Sequence, residues 1–307
     1  MAASTTSAAN SNASAYLVGA DDTSTRVTSP LRRHHATTMR LTTSAAGGIR
    51  ARRRGYVPTL LYVMELPLDA AFAVFDAQDS GCVSYGVEAA GRRWFVKTAT
   101  TVRSRRSLLR AARFHAAVRH PAIVRPEHVL DGPTLVYPWH DGSVLNHATT
   151  HGSDRSALHR FQQLPVPDVE TAIDTILDAH LAVTAAGYVA VDLYDGCFLY
   201  DFHARQLRLI DLDEYRPGPF TLDTDRLPGS RRYMAPEEFV RGAVIDQRTT
   251  VYTLGRTIHH LLDSPPGWRG SHHQQQVAVR ATTTTPADRY PDVAALAAAW
   301  RTTLPNP

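Results

Sequence analysis

Trp94-Phe95-Val96-Lys97 sets three apolar residues against the only lysine of a 307-residue chain. The other 32 of its 33 Lys and Arg residues are arginine. An ammonium is a compact point charge with rotatable donors, whereas the guanidinium is a larger planar fork. A chain that uses arginine almost everywhere and keeps one lysine marks Lys97 as a place where the fork does not serve. The apolar run before it reads as a buried strand, with the lone cation at its end.

The neighbours of this strand extend the pattern. Phe72 to Phe75 reads as one strand and Gly81 to Glu88 as a second. Ala89 to Arg92 makes a hairpin turn into the third, Arg93 to Thr98. Arg103 to Arg119 reads as a helix, ended by Pro121. Apolar segments follow at Ile123-Val124 and Thr134 to Tyr137. After that the pattern turns helical. Asp168 is a candidate cap for a helix with Ile173, Ile176, Leu177 and His180 on one face. Phe198 to Tyr200 and Leu207 to Ile210 form a short hairpin. Helices are predicted at Val251 to Leu262 and Val293 to Arg301, and Ser271 to Gln276 reads as loop.

A hydrophobic content of 43% is enough for a packed core. No apolar run reaches the roughly 18–20 residues that a membrane helix needs. The start of the chain lacks the pattern of a secretory signal. Cys82 and Cys197 are the only cysteines, which suggests no disulfide framework and fits a reducing cytoplasm. Residues 1–55 carry eight Arg against Asp21 and Asp22, a net of +6 within an overall +4, so the remainder is −2. The basic excess therefore belongs to the tail, and no nucleic-acid or membrane partner is expected. The Ala/Ser/Thr/Arg-rich composition of 1–55 predicts a disordered tail. A transit peptide and a misplaced start codon are alternatives.

Across about residues 65–302 the chain resembles the protein kinase superfamily, on several motifs in order. Gly81-Cys82-Val83 is similar to the end of a Gly-rich loop, with Lys97 fourteen residues after Val83. His120 to Val124 resembles the turn after the first-lobe helix, and Tyr137 to Gly142 the hinge. Asp192 stands in the catalytic-loop place, and Asp211-Leu212-Asp213 in the place of D-F-G. Gly229 to Glu237 resembles the end of an activation segment, Val251 to Gly255 a helix of the large lobe, and Pro286 to Tyr290 the late Arg motif. Val191 to Cys197 together with Asp211-Leu212-Asp213 resembles a divergent bacterial Ser/Thr protein kinase-like subgroup.

The resemblance implies an α+β, bilobal protein kinase-like fold: a small β-rich N-lobe at 56–137 and a larger helical C-lobe at 138–303. It implies ATP and Mg²⁺ (or Mn²⁺) as cofactors and a protein substrate as partner. Lys97 and Asp192 would be catalytic, Lys97 neutralising phosphates and Asp192 taking the proton of the attacking hydroxyl. Gly81, Val83, Lys97, Pro138, His140 and Asp211 would bind nucleotide. Asp211 would hold the metal, with Asp213 and Asp195 as further carboxylates. Glu237 and Arg289 would pair structurally.

The departures bear on activity. Gln78 and Asp76 replace two glycines of the loop. Ala111 stands where a helix acid should pair with Lys97, and no Asp or Glu occurs from Ala89 to Pro126. Lys97 must then be held by Asp211, by a distant carboxylate, or by nucleotide alone. Val191 and Tyr194 replace the Arg and Lys that flank the catalytic acid. Cys197 takes the place of a metal-binding Asn, a soft ligand for a hard ion, and Thr250 replaces an anchoring Asp. The leading expectation is an ATP-dependent kinase of Ser/Thr hydroxyls. A pseudokinase acting as a nucleotide-binding or scaffold module is one alternative, and a small-molecule kinase is another. The arginines of 103–119 read as a solvated face, or as a docking site for an acidic partner.

Overall fold

The computed structural model describes residues 38–42, 63–78, 80–265 and 267–305. These form a mixed α+β protein. An antiparallel pair joins β1 (Thr38–Thr42) to β2 (Val63–Pro67). β1 falls inside the stretch expected to be disordered and corrects that expectation at its five residues. The remainder of 1–55, and the expected start of the folded body at Tyr56, lie outside the described residues.

The next strands are β3 (Ala73–Phe75), β4 (Cys82–Ala89) and β5 (Arg92–Ala99). After helix α1 (Val102–Ala117) come β6 (His128–Leu130) and β7 (Thr134–Pro138). They make one antiparallel sheet of order β3-β4-β5-β7-β6. β5 is its middle strand and is covered on both faces. Phe95 belongs to the core beneath the sheet, while Trp94 and Val96 pack on the opposite face. Alternation therefore puts Lys97 on the side of Phe95.

Thr101 caps α1, accepting from the Ser104 N–H, while the Ser104 hydroxyl accepts from the Thr101 N–H. Leu108, Ala111, Phe114 and His115 are its buried face. The helix ends two residues before the predicted Arg119, because Val118 is already extended. Its buried side packs on β5 and β7, and Leu108 and Ala111 share a core with Leu199 of the hairpin Phe198–Asp201/Gln206–Leu209. Phe75, Phe95, Leu108, Tyr137, Leu199 and Ile210 share one core. That common core sets the position of the residues after Leu209 relative to Lys97.

The helical part contains α2 (Ser156–Phe161), α3 (Val166–Ala185), α4 (Gln247–Leu262), α5 (His272–Ala281) and α6 (Val293–Arg301). Ile173, Ile176, Leu177 and His180 are buried on α3 as their spacing predicts. α3 starts at Val166, so Asp168 lies in its first turn and is not the cap. Asp246 caps α4, which starts at Gln247, four residues before the expected Val251. The predicted loop Ser271 to Gln276 is instead the beginning of α5: Ser271 and Gln274 form a reciprocal cap. Gly255 lets α4 and α5 approach closely, since a Cβ there would lie 2.6 Å from the Ala281 Cβ. No helix among the described residues is long and apolar enough to cross a membrane.

The expected Glu237–Arg289 pair is present. Arg289 is 2% exposed and meets both carboxylate oxygens of Glu237, at 2.6 and 2.9 Å. The neighbouring Glu238 accepts from the Ala235 N–H at 2.6 Å. Burial nevertheless pushes its carboxyl up to about 8. A folded pKa above the unfolded value means that stability is lost as pH rises through the interval between them. Glu238→Gln is therefore expected to raise the melting temperature by several degrees at pH 9 and to change little at pH 5, as read by thermal melts at both pH values.

Candidate functional site

The Lys97 ammonium lies between two carboxylates. It donates to Asp211 Oδ1 at 2.5 Å and to Asp213 Oδ2 at 2.6 Å. The side chains of Lys97, Asp211 and Asp213 are only 4%, 4% and 7% exposed. Burial alone would depress the ammonium; the Asp211 and Asp213 carboxylates outweigh it and hold Lys97 well above its usual value. Asp211 shows the converse balance. Burial, helped by Asp213 and opposed by Lys97, pushes its carboxyl up to about 6. Of the three holders open to Lys97, the structure uses Asp211 and adds Asp213. Ala111 is fully buried core.

The backbone around these acids is unusual. Asp192 and Asp211 both adopt left-handed φ, at 62° and 55°, a region that non-Gly residues rarely visit. Asp192 is 7% exposed, and a Cβ on Gly229 would lie 3.5 Å from its Oδ1. Cys197 ties the two turns together. Its thiol donates to the Asp192 carbonyl at 3.4 Å and lies 3.9 Å from the Asp211 carbonyl. Its own carbonyl accepts from the Ile210 N–H. Burial raises the thiol pKa well above normal, so Cys197 stays protonated and serves as a structural donor. Thr250 holds the preceding strand, its hydroxyl accepting from the Ala190 N–H at 3.1 Å.

The other predicted residues fall around this group in different ways. Val83 pairs with Thr98 on the strand next to Lys97. The Gly81 carbonyl accepts from Thr100, through both N–H and hydroxyl. Gly81 has φ +69°, and a Cβ there would lie 2.7 Å from Thr101 Oγ1. Gln78 is buried, and the Ala77 carbonyl accepts from the Thr150 N–H, so this loop is closed down. Pro138 pairs with Trp94 at the far end of β5. His140 is half-buried; burial, then Arg208, lowers it to about 4 and keeps it neutral at pH 7.

Asp195 is a correction. Expected as a further metal carboxylate, it is fully buried and already engaged. Arg232 meets its two oxygens at 2.9 and 3.0 Å, and the Asn146 amide donates to Oδ1 at 2.8 Å. A carboxylate neutralised by a guanidinium and an amide is a structural anchor.

Two carboxylates remain for a metal, Asp211 and Asp213. Asp213 Oδ1 is buried without a hydrogen-bond partner, which suits a hard cation. Among the described residues no group of three or more His, Cys, Asp or Glu converges as a metal cage. Mg²⁺ is ordinarily held by one or two carboxylates plus substrate phosphates, so the donor set fits.

Sequence reading overlooked Glu214. Its carboxylate accepts from the Ser107 hydroxyl at 2.9 Å and pairs with Arg110 at 2.6 Å and Arg216 at 3.6 Å. Arg110 also donates to the Asp213 carbonyl at 3.2 Å. The acid that links helix to site thus comes from the segment after Asp213, and the cation from α1. The available signal was the acidic Asp211 to Glu214 run facing an acid-free, Arg-rich helix. Compared with known proteins, the chain matches no family model and no curated relative.

Proposed function

We propose that this chain is an ATP-dependent phosphotransferase of protein kinase type, with a smaller β-rich lobe at 56–137 and a larger helical lobe at 138–303. Its acceptors are Ser/Thr hydroxyls of a protein substrate in the cytoplasm. The observation that carries this reading is the Lys97 ammonium bridging Asp211 and Asp213 across 114 residues of sequence. A buried cation and two acids brought together from distant segments form a charge arrangement suited to polyphosphate and a divalent ion.

In this reading Lys97 leaves its two acids to pair with nucleotide phosphate oxygens. Asp211 and Asp213 would hold Mg²⁺ or Mn²⁺, which supplies charge neutralisation on the phosphates when bound. Gly81 and Val83 cover the phosphates, and backbone groups of Pro138 and His140 meet the base. The acceptor oxygen bonds to the γ-phosphorus as the bond to the ADP oxygen breaks. Asp192 takes the hydroxyl proton.

A second reading has its own support. The closed, buried Lys97 group and the thiol of Cys197 favour a nucleotide-binding or scaffold module without turnover. Calorimetric titration with ATP tests the site itself. The expected result is binding that Mg²⁺ strengthens in the wild type, with that dependence lost in Asp213→Ala. Unchanged metal dependence in Asp213→Ala would remove Asp213 from the site. Absence of ATP binding with either metal would reject the transferase and the nucleotide-binding module, leaving a scaffold. Because Asp211 must be ionised to hold the cation, the metal-dependent part of binding is expected to fall as pH drops through about 6.

A further inference from the structure

Between the outer face of α1 and the segment 214–228 lies a cavity of about 800 Å³ that the nucleotide site does not use. Arg103, Arg106, Arg110, Arg216 and Arg226 line it, with Glu214 as its one acid. A second cavity of about 700 Å³ shares Arg106, Arg110 and Arg216 and adds Arg113. Arg103, Arg106, Arg110 and Arg113 follow one another at spacings of three, four and three, so they form a single stripe along the helix. Like charges so spaced repel one another. Glu214 engages Arg110 and Arg216; it leaves the rest of the stripe without an ion-pair partner among the described residues.

A solvated basic face would explain exposed arginines on a convex surface. It does not explain these observations. The arginines face a concavity, and they come from three separate segments. Two of them have buried Nε donors with no acceptor, Arg216 and Arg226. A buried guanidinium N–H without an acceptor is costly, so these two forks are under-satisfied as they stand. Burial and then Arg110 lower Arg216, and burial and then Arg231 lower Arg226, so added negative charge relieves both. Val102 and Arg103, in the first turn of the 16-residue α1, also line the cavity. Unsatisfied N–H groups and the positive end of the helix dipole favour anions there.

We propose that this cleft binds an anion carrying two or more phosphate groups. Guanidinium forks match phosphate oxygens in pairs. Two adjoining cavities that share three arginines provide two phosphate positions, not one. The site is distinct from the Lys97 group and does not depend on the phosphotransferase reading.

The test is calorimetric titration of the full-length chain with inorganic tripolyphosphate, without divalent metal, at physiological ionic strength. Orthophosphate, sulfate and fructose 1,6-bisphosphate are titrated in parallel. The variants are Arg103→Ala/Arg106→Ala, whose two side chains are exposed on the helix surface, and Lys97→Met. The expected result is one tripolyphosphate per chain, bound more tightly than orthophosphate or sulfate. It is weakened by roughly 10–100-fold in Arg103→Ala/Arg106→Ala and kept in Lys97→Met. Tighter binding of tripolyphosphate than of fructose 1,6-bisphosphate assigns a linear polyphosphate, and the reverse order an organic bisphosphate; either supports the site. No binding, unchanged binding in the arginine variant, loss only in Lys97→Met, or equal affinity for sulfate would each overturn it.

Discussion

Asp192→Asn is expected to lower phosphoryl transfer by about 10²–10⁴-fold, the usual worth of a positioned base, while Mg²⁺-dependent ATP binding keeps its affinity. The substitution isolates the charge. Asp192 sits at φ 62°, and asparagine tolerates the left-handed region as aspartate does. The Asp192 carbonyl would still accept from the Cys197 thiol, so the turn that joins the two acidic segments is preserved. The two readings of the site then separate cleanly. A scaffold module retains its biological function with asparagine at this position; a transferase loses it. The check is a single-turnover transfer assay beside ATP titration on the same preparation. Transfer at the wild-type rate would remove Asp192 from the chemistry.

Arg289→Ala is expected to destabilise the chain by about 3–5 kcal/mol, the cost of stripping one partner from a buried ion pair. Arg289 satisfies more than Glu237. It also donates to the carbonyls of Arg248, Thr283 and Thr284, and its guanidinium lies 4.8 Å from the Tyr252 ring centroid. Alanine would strip the buried Glu237 carboxylate of its cation, leaving it the Thr249 hydroxyl among side chains, and would take a donor from three carbonyls. Lysine would not rescue it, because one ammonium cannot reproduce the planar fork. Urea unfolding of wild type, Arg289→Ala and Arg289→Lys measures this. A loss below about 1 kcal/mol, typical of an exposed pair, would show that the pair is not the anchor its burial implies.

What could be read in the sequence followed local periodicity and ordered motifs. The buried stripe of α3, the hairpin after Cys197 and the Glu237–Arg289 pair were legible, because each rests on spacing within a segment or on a motif end. The closeness of Lys97 to Asp211 was legible as one option of three. The absence of acids from Ala89 to Pro126 narrowed the options but could not choose among them. Partners supplied by distant segments were not legible. Nothing near Asp195 indicates that Arg232 and Asn146 will occupy it, so its carboxylate read as spare. Glu214 was missed for a similar reason: its partners, Ser107 and Arg110, lie more than 100 residues away. α5 was misread because its first turn is polar and only the capping pair Ser271 and Gln274 announces it.

Transfer of labelled γ-phosphate from ATP, with Mg²⁺ and with Mn²⁺, to the chain itself and to a generic basic protein is the decisive measurement. Wild type is expected to give label with at least one metal, and Lys97→Met and Asp192→Asn to give label at a rate about 10²-fold lower or less. Label at the wild-type rate in Asp192→Asn, or its absence from wild type with both metals, would contradict a working phosphotransferase.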